Sequence, residues 1–248
     1  MRATTVRFGD ELWRLLEREA QRDGVSAAQF IRDATILRVA YAMGQRGDPG
    51  FEDALGRTTA PDRVLEAGVE RRQALLDAAA AVRDPGRLDA LRATGLLDSD
   101  IAPSFDRLAR LAAHVLNAPV ALVSLVDADR QFFKSCLGLP EPWASERGSP
   151  LTHSFCQHAV ARREPLLVDD AREHPLLRDN PAIRDMGVIA YAGVPLIDPD
   201  GHALGTLCVT DSQPRHWTTH QVRVLRDLAA SVVTEITLAQ AARTTPSS

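Results

Sequence analysis

The first eight residues, together with the helical patterns directly after them, limit the possible folds more than any other part of the chain. Arg2-Ala-Thr-Thr-Val-Arg-Phe8 is short and alternating, with Thr4, Val6 and Phe8 on one face of a strand and Ala3, Thr5 and Arg7 on the other. A helical pattern runs from Asp10 to about Asp23, with Leu12, Leu15, Leu16 and Ala20 as its apolar stripe. Gly24 is a stop signal. Ser26 is a good N-cap for a second helix that turns Phe30, Ile31, Ala34, Leu37 and Tyr41 inward. One strand and two helices of this length bury little core alone, and a lone strand leaves its backbone groups unpaired. Pairing two copies through their strands and helices answers both problems, so the pattern predicts a homodimer.

In this arrangement residues 1–46 resemble the ribbon-helix-helix family of DNA-binding dimers. A two-stranded ribbon fits the major groove, where arginine commonly reads guanine. The resemblance implies that Ala3, Thr5 and Arg7 face the bases. Ala3 departs from the usual polar choice, which leaves two readers per strand. A helix N-terminus suits phosphate, and the resemblance assigns the backbone clamp to Ser26 and Ala27. Against this, residues 1–46 hold eight arginines and six acidic residues, a weak electrostatic footprint for nucleic acid. Dimerisation without DNA binding is the alternative.

Residues 47–86 read as a linker containing a helix. Residues 47–60 are rich in Gly, Thr and charge. A helix is predicted over 61–83, with a thin seam of Leu65, Val69, Leu76 and Ala79. Asp84-Pro85 is a cap followed by proline at the first helical position, so a new helix begins there and ends at Gly95. Beyond it the elements alternate. Phe105, Leu108, Leu111, Ala112 and Val115 mark a helix. Residues 119–126 form a buried strand, and residues 131–136 return as its hairpin partner. A helix over 154–163, a short strand at 165–168 and a polar loop or short helix over 174–187 come next. A hairpin succeeds them, with strands 188–197 and 203–209 joined by Pro199-Asp-Gly201. The last element, over 218–242, turns Val222, Leu225, Leu228, Ala229, Val232 and Ile236 inward. Strand hairpins with helices at both ends predict an α+β class with an antiparallel sheet. Residues 244–248 are a tail.

Leu96-Leu97-Asp98, Phe105-Asp106-Arg107, Val123-Ser-Leu-Val-Asp127, Asp129-Arg-Gln131 and Phe133-Lys-Ser135 resemble the opening of a bacterial GAF domain. Ser154-Phe-Cys156, Val168-Asp-Asp-Ala171, Asn180-Pro181, Tyr191-Ala-Gly-Val-Pro-Leu196, Pro199-Asp-Gly201, Leu204-Gly-Thr-Leu-Cys-Val209 and Asp211 continue the resemblance in order, over residues 87–243. It implies a six-stranded antiparallel sheet carrying a sensory pocket beneath loops and short helices. The pocket is expected between the sheet and residues 169–186, bordered by Phe155, Cys156, Asp170, Asn180 and Tyr191. The cofactor is unknown. The Asn-Lys…Phe…Asp-Glu signature of cyclic-nucleotide members cannot be traced. Bilin attachment needs a cysteine six residues before Met186-Gly187-Val188, where Asn180 stands. The GAF-fold methionine-sulfoxide reductases need a cysteine that residues 174–187 lack.

His153, Cys156 and His158 are metal-ligand types, but their offsets do not share a helix face and no fourth ligand is evident. No metal is predicted. Cys136 and Cys208 fall in strands, where cysteine behaves as a small hydrophobe. Cys156 opens a helix, where a thiolate is favoured, so a thiol sensor is a further reading. Asp169-Asp170 reads as a cap or turn. Gly-x-Ser-x-Gly, a phosphate-binding glycine loop and His-Glu-x-x-His are all missing, and the chain is expected not to be an enzyme. Three widely spaced cysteines argue against a disulfide framework, no apolar run is long enough for a membrane span, and a cytoplasmic location is expected. The expected function is a DNA-binding transcriptional regulator with a GAF sensing domain. A GAF signalling adaptor whose N-terminal segment only dimerises it is the alternative, and a thiol enzyme of GAF fold, similar to the methionine-sulfoxide reductases, is the second.

Overall fold

The computed structural model describes residues 8–22, 26–28, 30–32, 34–35 and 62–244. The chain divides into two compact units, residues 1–70 and residues 71–248. In the first, α1 spans Asp10–Arg22, with Asp10 and Glu11 in its first turn, where acidic groups complement the helix dipole. Ala20 is buried and Leu16 half-buried, but Leu12 and Leu15 are 47% and 45% exposed, so half of the predicted inward stripe faces outward in the single chain. A second helical stretch includes Ala27, Ala28 and residues 30–32, 34 and 35. The predicted strand falls almost wholly on residues 1–7, outside the described residues, and so does the linker at 47–60.

α2 (Asp62–Val82) runs into the second unit. There its buried line is Ala78 and Val82, with Ala74 partly buried, and the predicted seam residue Leu76 is exposed. Alanine lets the helix lie close, whereas Leu75 and Leu76 project away. α3 (Pro85–Thr94) starts as its capping signal predicts. The Asp84 carboxylate accepts from the Arg87 N–H at 2.8 Å, and Gly95 closes the helix at φ 63°. Arg87 itself is buried. Its guanidinium donates to the carbonyls of Val82, Val126 and Ala203, tying α3 to two strands. Burial holds its pKa below the ordinary value.

The sheet has six antiparallel strands: β1 (Val120–Val126), β2 (Arg130–Leu137), β3 (Gly148–Pro150), β4 (Leu166–Val168), β5 (Ala190–Ile197) and β6 (Ala203–Asp211). Their order is β3-β2-β1-β6-β5-β4. α4 (Pro103–Leu116) and α8 (Thr219–Thr244) pack with α3 on one face, against Val123, Leu125, Leu207 and Val209. Leu225, Ala229, Val232 and Ile236 are buried from α8, as its periodicity predicts. On α4 the prediction holds for Phe105, Leu108 and Ala112, while Leu111 and Val115 are exposed. The opposite face carries α6 (Cys156–Arg162) and the segment containing α7 (Ala182–Asp185), over Leu122, Phe133, Tyr191 and Cys208. The short α5 (Trp143–Glu146) and edge strand β3 have no counterpart in the sequence pattern.

Candidate functional site

The α6 face of the sheet is built from alternation. Ser124 on β1 pairs with Thr206 on β6, Leu122 with Cys208, and Tyr191 on β5 with Thr210. Residues two apart share a strand face, so Thr206, Cys208 and Thr210 all turn toward α6. Buried polar groups need partners, and most here have them. Gln131 accepts from Ser154 Oγ at 2.8 Å and from Ser124 Oγ at 3.3 Å, and donates to Ser149 Oγ at 2.7 Å. Ser154 Oγ in turn accepts from the Gln157 N–H at 3.1 Å, fixing the start of α6. Thr206 stands apart: its buried hydroxyl meets no nitrogen or oxygen partner and faces the two sulfurs.

Beside this network the Tyr191 hydroxyl donates to Cys156 Sγ at 3.4 Å, and Cys156 Sγ lies 3.9 Å from Cys208 Sγ. The Tyr191 ring packs on Phe155, centroids 5.5 Å apart. Gly193, opposite Cys208, makes room for the phenol, since a Cβ there would lie 2.1 Å from the Tyr191 oxygen. The hydrogen bond with Cys208, then polar contact with Thr206, Tyr191 and Ser124, lowers the Cys156 thiol against the burial that opposes it. Cys208, facing that sulfur and fully buried, is pushed well up. Burial raises the Tyr191 phenol likewise. The chamber against these groups is small, about 20 Å³.

Of the residues expected to border a pocket, Phe155, Cys156 and Tyr191 meet at this chamber. Asp170 and Asn180 do not. Asp170 closes a turn, accepting from the Arg172 N–H at 3.0 Å and pairing with its guanidinium, which keeps the carboxyl below its usual range. Asn180 Oδ1 accepts from the Ala182 N–H at 2.9 Å and so caps α7. Asn180 lines a separate, larger cleft of about 350 Å³ under α2, with Arg71 and His158. His158 is 3% exposed, and burial, Arg162 and His174 push it down to about 4. His153 sits 3.2 Å from Asp185. Among the described residues no three His, Cys, Asp or Glu side chains gather for a metal ion. The contribution of Cys208 is not legible from sequence spacing. The i, i+2, i+4 run of Thr206, Cys208 and Thr210 is its only local signal.

In the first unit, the Ser26 carbonyl accepts from the Phe30 N–H at 2.9 Å, the first bond of the second helical stretch. Ser26 is exposed and Ala27 half-buried. Ala3, Thr5 and Arg7 lie outside the described residues.

The pattern of the GAF domain matches residues 100–236, more than half of the chain, and the protein belongs to the GAF domain family. A Pseudomonas aeruginosa protein named cyclic di-GMP phosphodiesterase PA2567 is 35% identical over 122 residues, 49% of this chain and 20% of that protein. The match thus spans about a fifth of that relative's length. The GAF domain of a phosphoenolpyruvate-protein phosphotransferase from Coxiella burnetii superposes with a TM-score of 0.49 at 19% identity, covering 64% of this chain and 97% of that one. The GAF domain of an Acinetobacter phosphoenolpyruvate-protein phosphotransferase gives 0.47 at 19% identity, covering 65% and 99%. The expectation that the chain is not an enzyme is corrected by the Pseudomonas relative, which carries an enzyme's name. Gly-x-Ser-x-Gly, glycine loops and His-Glu-x-x-His report only a few hydrolytic and phosphate-binding chemistries, so their absence does not bear on this one. Among the described residues, no helix is long and apolar enough to cross a membrane.

Proposed function

We propose that the chain is a cytoplasmic sensory signalling protein, in which the GAF domain reads a small molecule or a redox change and the N-terminal segment acts as a homodimer on DNA. Phe155, Cys156 and Tyr191 form the sensing chamber, while Asp170 and Asn180 shape the segment that borders it. The observation that carries the dimer is the outer face of α1. Leu12, Trp13 and Leu15 stand exposed on a helix that the sequence makes amphipathic, and a second copy covers them. Thr5 and Arg7, flanked by Ala3, then read bases, and the backbone at Ser26 and Ala27 holds a phosphate.

Sedimentation tests the dimer. The full chain should sediment as a dimer, and Phe8→Asp, which puts a charge into the shared core, should dissociate it or unfold its N-terminal unit. A monomeric wild type refutes the assembly. Selection from random duplexes tests the DNA reading. Enrichment of a defined site should be lost in Arg7→Ala. Ser26→Ala should weaken all sequences alike, and log affinity should fall with log salt by about 0.9 per phosphate contacted.

A second reading draws on the 35% identity to the Pseudomonas phosphodiesterase over the GAF segment. Here the domain is a module of cyclic di-GMP signalling and residues 1–46 serve only to dimerise it. Selection that enriches no sequence while the dimer persists favours this reading. In either case a thermal-shift screen with cyclic nucleotides, purines and haem reports on the pocket. A ligand bound to the folded state alone stabilises it by about 2.7 kcal/mol at a hundredfold excess over Kd.

A further inference from the structure

We propose that Cys156 and Cys208 are a redox dithiol, which a small hydroperoxide oxidises to a disulfide between the start of α6 and the middle of β6. The inference deepens the sensory reading of the chamber and rests on it.

Three observations converge. The two sulfurs are already in contact, 3.9 Å apart, although 52 residues separate them in the chain. A disulfide needs about 2 Å further approach. The third cysteine, Cys136, stands elsewhere, half-buried on β2, and burial raises its thiol above the ordinary range. Second, the chamber beside the pair has the volume of about one water molecule. That suits hydrogen peroxide and is far below the ~300 Å³ or more of a site for a drug-sized ligand. His153 and Met186 on its wall are half-buried, so the chamber lies near the surface. Third, the polar groups favour the anionic sulfur. The Tyr191 hydroxyl donates to Cys156 Sγ, and the buried Thr206 hydroxyl stands by both sulfurs.

The chemistry balances in two steps. The Cys156 thiolate attacks one peroxide oxygen and the O–O bond breaks. Sulfenic acid forms on Cys156, and the departing oxygen leaves as water, or as an alcohol from an organic hydroperoxide, after taking a proton. The Cys208 sulfur then attacks the sulfenic sulfur. The S–O bond breaks, the S–S bond forms, and the oxygen and the Cys208 proton leave in a second water. Two thiols lose two electrons and the peroxide gains them. The product ties α6 to the sheet and leaves the Tyr191 hydroxyl facing a neutral disulfide sulfur, a weaker acceptor than a thiolate.

The test uses the full-length protein, treated with hydrogen peroxide, quenched, alkylated under denaturing conditions and digested without reductant. The expected result is a linked peptide pair containing Cys156 and Cys208, with Cys136 alkylated, reversed by dithiothreitol. Cys208→Ser should trap sulfenic acid on Cys156 with dimedone, roughly tenfold faster than Cys136 is modified. Cys156→Ser should abolish linkage, and Cys136→Ser should leave it intact. If peroxide leaves Cys156 and Cys208 both alkylated, or links them only to Cys136 or between chains, the proposal is overturned, on wild-type protein alone. The readout is separate from ligand and DNA binding. Failure of the thermal-shift and selection experiments with the disulfide formed would remove the small-molecule and DNA readings and leave this one.

Discussion

The two faces of the sheet are both buried but use different chemistry. Under α4 and α8 the interior is mostly aliphatic, Val123, Leu125, Leu207, Val209, Leu225 and Ile236, with Phe105, Phe132 and Trp217 among them. Under α6 the same strands turn in Ser124, Gln131, Thr206, Cys208 and Tyr191, all buried. A face that only had to hold the fold together would be more stable filled with leucine and valine, because each buried polar group must find a partner or destabilise the fold. The α6 face meets that requirement with the Gln131 network and, at Thr206, with the two sulfurs alone. One face supplies stability, and the other retains reactive groups that the first can support.

The largest effect should come from the aliphatic face. Leu225→Ala should lower unfolding free energy by about 2–5 kcal/mol in urea titrations while leaving the reactivity of Cys156 unchanged. A large change in thiol reactivity would mean that the faces are not separable.

The next is a pH effect from α6. His158 is held down at about 4 in the folded chain, against 6.5 as its ordinary value. Above pH 6.5 it is neutral in both states and contributes no pH dependence. As pH falls from 6.5 to 4 the unfolded chain takes up a proton that the folded chain refuses, so stability falls, by about 3 kcal/mol in all. Below 4 the loss levels off. His158→Gln should remove this component from the stability–pH curve. An unchanged curve would show that the histidine is solvated.

A smaller effect sharpens the contrast. Gly193→Ala should displace the Tyr191 phenol, at about 1–3 kcal/mol for overpacking, and slow alkylation of Cys156 at neutral pH. Loss of stability with unaltered thiol reactivity would separate Tyr191 from the sulfur.

The two faces also differ in how far the sequence reveals them. On the aliphatic face, periodicity places Leu225, Ala229, Val232 and Ile236 of α8 inward, because burial there repeats with the helix turn. It also places Leu111 and Val115 inward, and these are exposed. A period marks an apolar stripe but not how wide a stripe the neighbours cover. On the α6 face, Phe155, Cys156 and Tyr191 can be picked out by resemblance. The partnership of Cys156 with Cys208 and the Gln131–Ser149–Ser154 network join residues distant in sequence, and no spacing rule encodes them. Asn180 and Asp170 are marked as pocket residues by the same resemblance. Their side chains are occupied in capping α7 and closing a turn. Strand β3, only three residues long, is too short to show alternation.

The most direct test of the reactive α6 face is a titration of thiolate absorbance in the folded protein, comparing wild type, Cys156→Ser and Tyr191→Phe. The expected result is one thiolate in the wild type with a midpoint well below the ~8.5 of a free cysteine. It should vanish in Cys156→Ser and move upward in Tyr191→Phe. A wild type whose thiolates appear only at or above that ordinary midpoint would contradict a reactive face, and the α6 side of the sheet would then be a second structural core.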